Sequence, residues 1–123
     1  MSRILIVDDE PSVLDVLAAL LADEGYTVQT AADGRVASAL IAAEPPVLLI
    51  TDVMMPRLNG WALLASVREQ TPTLPVIVMS AVDRKTAMHH DVFTTDHTVF
   101  LRKPFDVETL LTTVERLIGA PPS

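Results

Sequence analysis

The sequence of 123 residues contains no cysteine, so the chain can form neither a disulfide bond nor a thiolate metal site. Basic residues are also few, since 9 lysines and arginines face 16 aspartates and glutamates and leave a formal net charge of −7. This balance argues against direct binding of nucleic acid or of an anionic membrane surface. No apolar run approaches the length of a membrane span, and the first one, Ile4–Val7, is too short for a signal peptide. We therefore expect a cytoplasmic protein whose partner is a protein, a cation or a small anion.

Half of the residues are apolar, and many of them fall into short runs that are rich in β-branched side chains. Four continuous runs have the pattern of strands buried on both faces of a parallel sheet. These runs are Ile4–Val7, Val47–Ile50, Val76–Met79 and Val99–Leu101. A fifth run, Tyr26–Thr30, alternates between apolar and polar residues, which favours a strand at the margin of the sheet.

Apolar residues at helical spacing fill the intervals between these runs. The predicted helices extend from Pro11 to Gly25, around Val36 to Ala43, from Trp61 to Gln70, about Arg84 to Phe93, and from the N-cap Asp106 to Gly119. Five strands that alternate with five helices predict a doubly wound α/β domain. We expect this domain to occupy residues 1–119, with residues 120–123 as a tail or as the first part of a linker.

Polar residues follow four of the predicted strands, at the point where each strand ends. Asp8 and Asp9 follow the first strand, Asp52 the third, Ser80 the fourth and Lys103 the fifth. Ligands of doubly wound folds bind at this edge of the sheet. Three carboxylates that converge there would repel one another unless a divalent cation lies among them. With a lysine beside that cation, the pattern indicates a site that binds a phosphoryl group.

Several of these residues also have a simpler interpretation. Asp8 or Asp9 alone would be read as a cap of the first helix, because a carboxylate there satisfies free amides and complements the helix dipole. Ser80 alone would be read as an ordinary turn residue. The coincidence of all of them at one edge favours the cation site instead. Pro104 supports this reading, because a peptide bond held in a fixed geometry would aim Lys103 back into the site.

Four motifs together resemble the receiver domain of two-component response regulators. They are Val7-Asp8-Asp9-Glu10, Asp52-Val53-Met54-Met55-Pro56 with Leu58-Asn59-Gly60, Ser80-Ala81, and Lys103-Pro104-Phe105. The resemblance covers nearly the whole chain, with the elements in matching order and at matching separations. It implies a flavodoxin-like fold whose five-stranded parallel sheet has the order 2-1-3-4-5.

The resemblance also implies what the acidic residues do. Asp52 matches the phosphoacceptor, which would take a phosphoryl group from a sensor histidine kinase or a phosphotransfer protein. Asp8, Asp9, Asp52 and the backbone carbonyl of Met54 would bind Mg²⁺, or Mn²⁺ in its place. The implied function is a phosphorylation-dependent signalling switch that assists its own phosphorylation and dephosphorylation but is no turnover enzyme.

Three further positions match the part of the family that senses the phosphoryl group. Lys103 and Ser80 would contact its oxygens. Ser80 and Phe100 would act as the switch, because a serine drawn toward the phosphoryl group leaves space that the aromatic ring can fill. The changed face would be bound by an unknown downstream protein or by an effector domain that this sequence does not contain.

Two other functions are open to a chain with this pattern. One is a phosphatase or phosphotransferase with an aspartyl intermediate, but such enzymes commonly place a second acid two residues after the nucleophile, where this chain has Met54. The other is a phosphorylation-independent protein-interaction module of the same fold. The intact set of acidic residues, serine and lysine argues against this second alternative.

Overall fold

The computed structural model describes residues 3–52, 60–80, 97–102 and 106–120, with the backbone alone described at positions 60, 61 and 80. Four predictions lie outside the described residues: the helix about Arg84 to Phe93, and the roles of Met54, Lys103 and Pro104. Within the described ranges the chain forms five strands and four helices.

The strands form one parallel sheet. They are β1 (Ile4–Val7), β2 (Val28–Ala31), β3 (Leu48–Asp52), β4 (Val76–Ser80) and β5 (Thr98–Arg102). Their order is β2-β1-β3-β4-β5, and every neighbouring pair is parallel. The predicted strand order 2-1-3-4-5 and the marginal position of the second strand are therefore confirmed.

The helices begin and end close to the predicted residues. They are α1 (Pro11–Glu24), α2 (Gly34–Ala43), α3 (Gly60–Gln70) and α4 (Val107–Ile118). Asp106 caps α4 as predicted, because its carboxylate accepts the backbone N–H of Thr109 at 2.6 Å. Asp33 caps α2 in the same way through the N–H of Val36 at 2.9 Å, so this helix starts before the first predicted apolar residue. None of the helices in the described ranges is both long and apolar enough to cross a bilayer.

The second strand starts two residues later than its alternating pattern predicts. Gly25 adopts a φ of 109° after α1, and its N–H donates to the carbonyl of Ala22 at 3.0 Å. The N–H of Tyr26 then reaches back to the carbonyl of Leu21 at 3.1 Å. These two bonds form a Schellman motif, which uses Tyr26 to close the helix. The strand can therefore begin only at Val28.

Both faces of the sheet are buried, as continuous apolar strands require. Successive residues of a strand belong to different clusters: Leu5, Val7 and Leu49 face α2 and α3, whereas Ile4, Ile6 and Ile50 face α1 and α4. The sheet thus separates two hydrophobic layers, and in the central strands β1 and β3 the polar side chains lie at or next to the strand ends.

An arginine fastens the end of the sheet where β4 and β5 begin. Nη1 of Arg68, in α3, donates to the carbonyls of Leu74 at 2.6 Å and Pro72 at 3.2 Å. Its Nη2 donates to the carbonyl of His97 at 3.0 Å and to Oγ1 of Thr98 at 2.7 Å. Burial lowers the pKa of Arg68. One guanidinium therefore joins α3, the loop before β4 and the first residue of β5.

We expect Arg68→Lys to lower the free energy of unfolding by about 1–3 kcal/mol, because a lysine ammonium cannot reach four acceptors that lie in the fork of a guanidinium. Urea unfolding measures the change. Arg35→Lys is the matched control, since Arg35 is exposed on α2 and should shift stability by less than about 0.5 kcal/mol. Equal unfolding midpoints for the two variants would contradict the role of Arg68.

A tyrosine fastens the same end of the molecule on the other side of the sheet. The hydroxyl of Tyr26 donates to the carbonyl of Gly119, which follows α4, at 2.9 Å. Burial raises the pKa of Tyr26, and the carboxylates of Glu115 and Glu24 raise it further. The protonated phenol is therefore the form that the folded chain prefers.

The stability contributed by Tyr26 should depend on pH in a defined direction. Since its pKa in the folded chain lies above the ordinary value of 10.0, the contribution is complete below pH 10.0 and is lost as the pH rises through the folded pKa. We expect the difference in the free energy of unfolding between the native chain and Tyr26→Phe to shrink as the pH rises above 10.0. The chain has a single tyrosine, so the absorbance of tyrosinate reports its ionisation directly. A midpoint in the folded chain at or below that of the urea-unfolded chain would refute this account.

Candidate metal centre

Two neighbouring strands place the acidic residues at one edge of the sheet. Val7 of β1 pairs with Thr51 of β3 in the parallel register. The residues that follow, Asp8 and Asp52, therefore lie beside each other where the two strands end.

The structure brings three of the predicted site residues together. Asp8, Asp9 and Asp52 each place a carboxylate oxygen within 4.8 Å of the other two. Asp8 is fully buried, Asp52 is only 7% exposed and Asp9 is exposed. The cluster thus has two buried members and one that faces the solvent.

A backbone bond holds the turn that carries two of these carboxylates. Oδ1 of Asp8 accepts the N–H of Glu10 at 2.9 Å, and the N–H of Asp8 donates to the carbonyl of Ala31 in β2 at 3.2 Å. The N-cap of α1 is Glu10, whose side chain makes no capping bond. The alternative in which Asp8 or Asp9 occupies the cap position of the first helix is therefore not what the fold adopts. Asp8 orders the turn that precedes the helix.

The separation of the carboxylates has an energetic consequence. Two unit charges 4.8 Å apart repel by about 3 kcal/mol at an effective dielectric constant of 20. The donor set consists of hard carboxylate oxygens, which is the set that Mg²⁺, Mn²⁺ and Ca²⁺ prefer in proteins. The arrangement therefore fits a hard divalent cation, whose charge would offset the repulsion.

Two further predicted residues, Ser80 and Phe100, lie on the strands β4 and β5 near the same edge. Ser80 ends β4 one residue beyond Met79, which pairs with Asp52. Phe100 lies in β5 opposite Val78 and is half-buried against the cluster that faces α2 and α3. The switch role of Ser80 and Phe100 remains a prediction, as do the roles of Met54, Lys103 and Pro104 outside the described residues.

One residue at this edge is absent from the predicted site. Thr51 is fully buried, and its hydroxyl donates to the backbone carbonyl of Asp52 at 2.9 Å. The signal in the sequence is the hydroxyl residue that interrupts an apolar strand directly before the acidic residue. The strand pattern does not show that this hydroxyl has a role, because valine has the same branched shape and would suit the same strand position.

Comparison with known proteins agrees with this geometry. A family model described as the response regulator receiver domain matches residues 4–115. Among curated proteins, the response regulator MprA of Mycolicibacterium vanbaalenii is 38% identical over 118 residues, which cover 94% of this chain and 50% of MprA. The DNA-binding dual master transcriptional regulator RpaA of Synechocystis sp. is 35% identical over 120 residues, which cover 96% of this chain and 49% of RpaA. The chain thus spans about half the length of these relatives.

Solved structures show the same fold. The chemotaxis response regulator CheY4 of Vibrio cholerae superposes with a TM-score of 0.84 at 34% identity, over 95% of this chain and 98% of CheY4. The receiver domain of the Francisella response regulator 1452 superposes with a TM-score of 0.85 at 28% identity, over 96% of this chain and 97% of that domain. From the sheet order, the acidic cluster and these matches we conclude that the chain belongs to the response regulator receiver domain family, the phosphoacceptor signalling module of two-component systems.

Proposed function

We propose that this chain is a cytoplasmic switch that accepts a phosphoryl group on Asp52 from a histidine kinase or a phosphotransfer protein. The observation that carries the proposal is the cluster of Asp8, Asp9 and Asp52 at the carboxyl ends of β1 and β3. Within this cluster Asp52 is the member that ends a central strand, and it retains 7% of its surface in contact with solvent. A phosphoryl donor would reach it at the carboxyl ends of the strands.

The reaction would be a direct transfer between two nucleophiles. A carboxylate oxygen of Asp52 attacks the phosphorus atom of a phosphohistidine, a P–O bond forms, and the P–N bond breaks. The electron pair of that bond returns to the imidazole nitrogen, which takes up a proton. The product on this chain is an acyl phosphate, and the burial of Asp52 limits the access of water to it.

The carboxylates fit a resident magnesium ion. Asp8, Asp9 and Asp52, together with the backbone carbonyl of Met54, would hold Mg²⁺ or Mn²⁺. When bound, the ion supplies positive charge that offsets the charge of the phosphoryl oxygens. The chain's own contribution is to fix the ligands: the bond from the N–H of Glu10 holds the buried Asp8 carboxylate, while Asp9 stays at the solvent side.

Phosphorylation would change the structure of the neighbouring strands β4 and β5. The amine of Lys103 and the hydroxyl of Ser80 would bind phosphoryl oxygens, and Ser80 would move toward them. Phe100 lies half-buried on β5 and has no hydroxyl, so it can respond only by a change of packing. The surface around β5 would then present a different shape to a downstream protein or effector domain.

Phosphorylation of Asp52 can be tested with a small donor. We expect acetyl phosphate and Mg²⁺ to add the mass of one phosphoryl group to the native chain and none to Asp52→Asn, because an amide is a far weaker nucleophile than a carboxylate. Asp23→Asn, at an exposed position of α1, is the control that should be labelled like the native chain. Intact mass spectrometry gives the result, and the adduct should be lost in base.

The same incubation separates the alternatives. Steady release of inorganic phosphate at an enzyme-like rate would favour a phosphatase. A native chain that takes no phosphoryl group from any donor would favour the phosphorylation-independent interaction module.

Cation binding can be tested through stability. We expect Asp9→Asn to raise the free energy of unfolding in EDTA, because it removes one of three repelling charges, and to weaken Mg²⁺ binding by about tenfold or more. Titration calorimetry measures the affinity, and urea unfolding with and without Mg²⁺ measures the linked stabilisation. Asp15→Asn, exposed on α1, serves as the charge-matched control. If Mg²⁺ stabilised the Asp9→Asn variant and the native chain equally, the proposed cation site would be wrong.

A further inference from the structure

The hydroxyl of Thr51 is buried directly beside the proposed phosphoacceptor. Thr51 has no exposed surface, and its Oγ1 donates to the backbone carbonyl of Asp52 at 2.9 Å. Among the residues whose side chains are described, the only other fully buried or nearly buried polar ones are Asp8 and Asp52. Thr51 therefore belongs to the small group of polar residues that this fold keeps away from water, and all three members lie at the same edge.

The position of Thr51 in the sheet is one that valine would fill at least as well. Its neighbours across the strands are Val7 and Val78, and the alternation of β3 places it on the same face as Leu49. Burial of a hydroxyl among such side chains is unfavourable unless the hydroxyl forms a hydrogen bond. Packing and strand propensity alone therefore do not explain why this position has threonine, with a hydroxyl, and not valine, with a methyl group.

The hydrogen bond acts on the residue that carries the reactive carboxylate. The ring that it closes runs from Oγ1 of Thr51 through the peptide bond to the carbonyl oxygen of Asp52, so it contains both φ and ψ of Asp52. Restricting these two angles restricts the direction of the Cα–Cβ bond, from which the carboxylate extends. A side-chain bond to a neighbouring backbone group is a common way to fix a local conformation of this kind.

We propose that Thr51 is a positioning residue for phosphoryl transfer, which holds the backbone of Asp52 so that its carboxylate stays aimed at the open edge. The inference rests on the proposed phosphorylation of Asp52. Loss of the hydroxyl keeps the reactive carboxylate on the chain but removes one restraint on the backbone of Asp52, which is the last residue of β3. A small misplacement of a reacting group is enough to slow a reaction by an order of magnitude or more.

The test uses two pairs of chains. Within each pair, one member has a hydroxyl at position 51 and the other does not, and the two side chains are similar in size. The native chain is compared with Thr51→Val, and Thr51→Ser with Thr51→Ala. The rate of labelling by acetyl phosphate in Mg²⁺ is followed by intact mass, and urea unfolding is recorded for each chain. We expect the member without the hydroxyl to be labelled about tenfold more slowly in both pairs.

Stability should follow a different order. Thr51→Val should be at least as stable as the native chain, because it replaces a buried hydroxyl by a methyl group, whereas Thr51→Ser should be less stable because it removes a buried methyl group. A stable but slow Thr51→Val beside a less stable but fast Thr51→Ser would support positioning, since a purely structural role would make rate and stability fall together. If Thr51→Val does not fold, the labelling rates of Thr51→Ser and Thr51→Ala still test the role of the hydroxyl.

Two results would overturn the inference, and they are distinguishable. Equal labelling rates within both pairs, on a native chain that is labelled at Asp52, would remove the role of Thr51 and leave the proposed function intact. Absence of any adduct on the native chain would remove both proposals together.

Discussion

The parallel pairing of β1 with β3 is the constraint on which the site depends. It sets Val7 against Thr51, and the next residue of each strand then contributes a carboxylate to the same small volume. The pairing is held by apolar residues on both faces of both strands, and these residues belong to the two hydrophobic layers that the sheet separates. The hydrophobic core thereby supplies the free energy that keeps like charges close together.

Like charges at this distance store energy that a ligand can release. An isolated pair of carboxylates would separate, but Asp8 and Asp52 are buried at the ends of paired strands and cannot move apart freely. A cation or a cationic side chain at this edge is favoured for that reason. In a receiver domain the same charge balance makes the site sensitive to the addition of a phosphoryl group, which carries further negative charge.

The sequence predicts most of the fold because buried parallel strands are continuous apolar runs, and the carboxyl ends of such strands must meet at one edge. It predicts the convergence of Asp8, Asp9 and Asp52 for the same reason. It fails at Tyr26, since an alternating pattern does not show that a residue closes the preceding helix. It also misses the contacts of Arg68 and Thr51, because most of their partners are backbone carbonyls, which every residue possesses and no sequence pattern marks.

Different kinds of polar contact lie at the two ends of the strands. At the amino ends, Arg68 and Tyr26 tie helices to loops through neutral carbonyl acceptors. At the carboxyl ends, the acidic residues hold charge that does not favour folding. Amino-acid changes at the first end are therefore expected to act on folding stability alone, whereas changes at the second end act on stability and, at the same time, on the negative charge that the site offers to a cation.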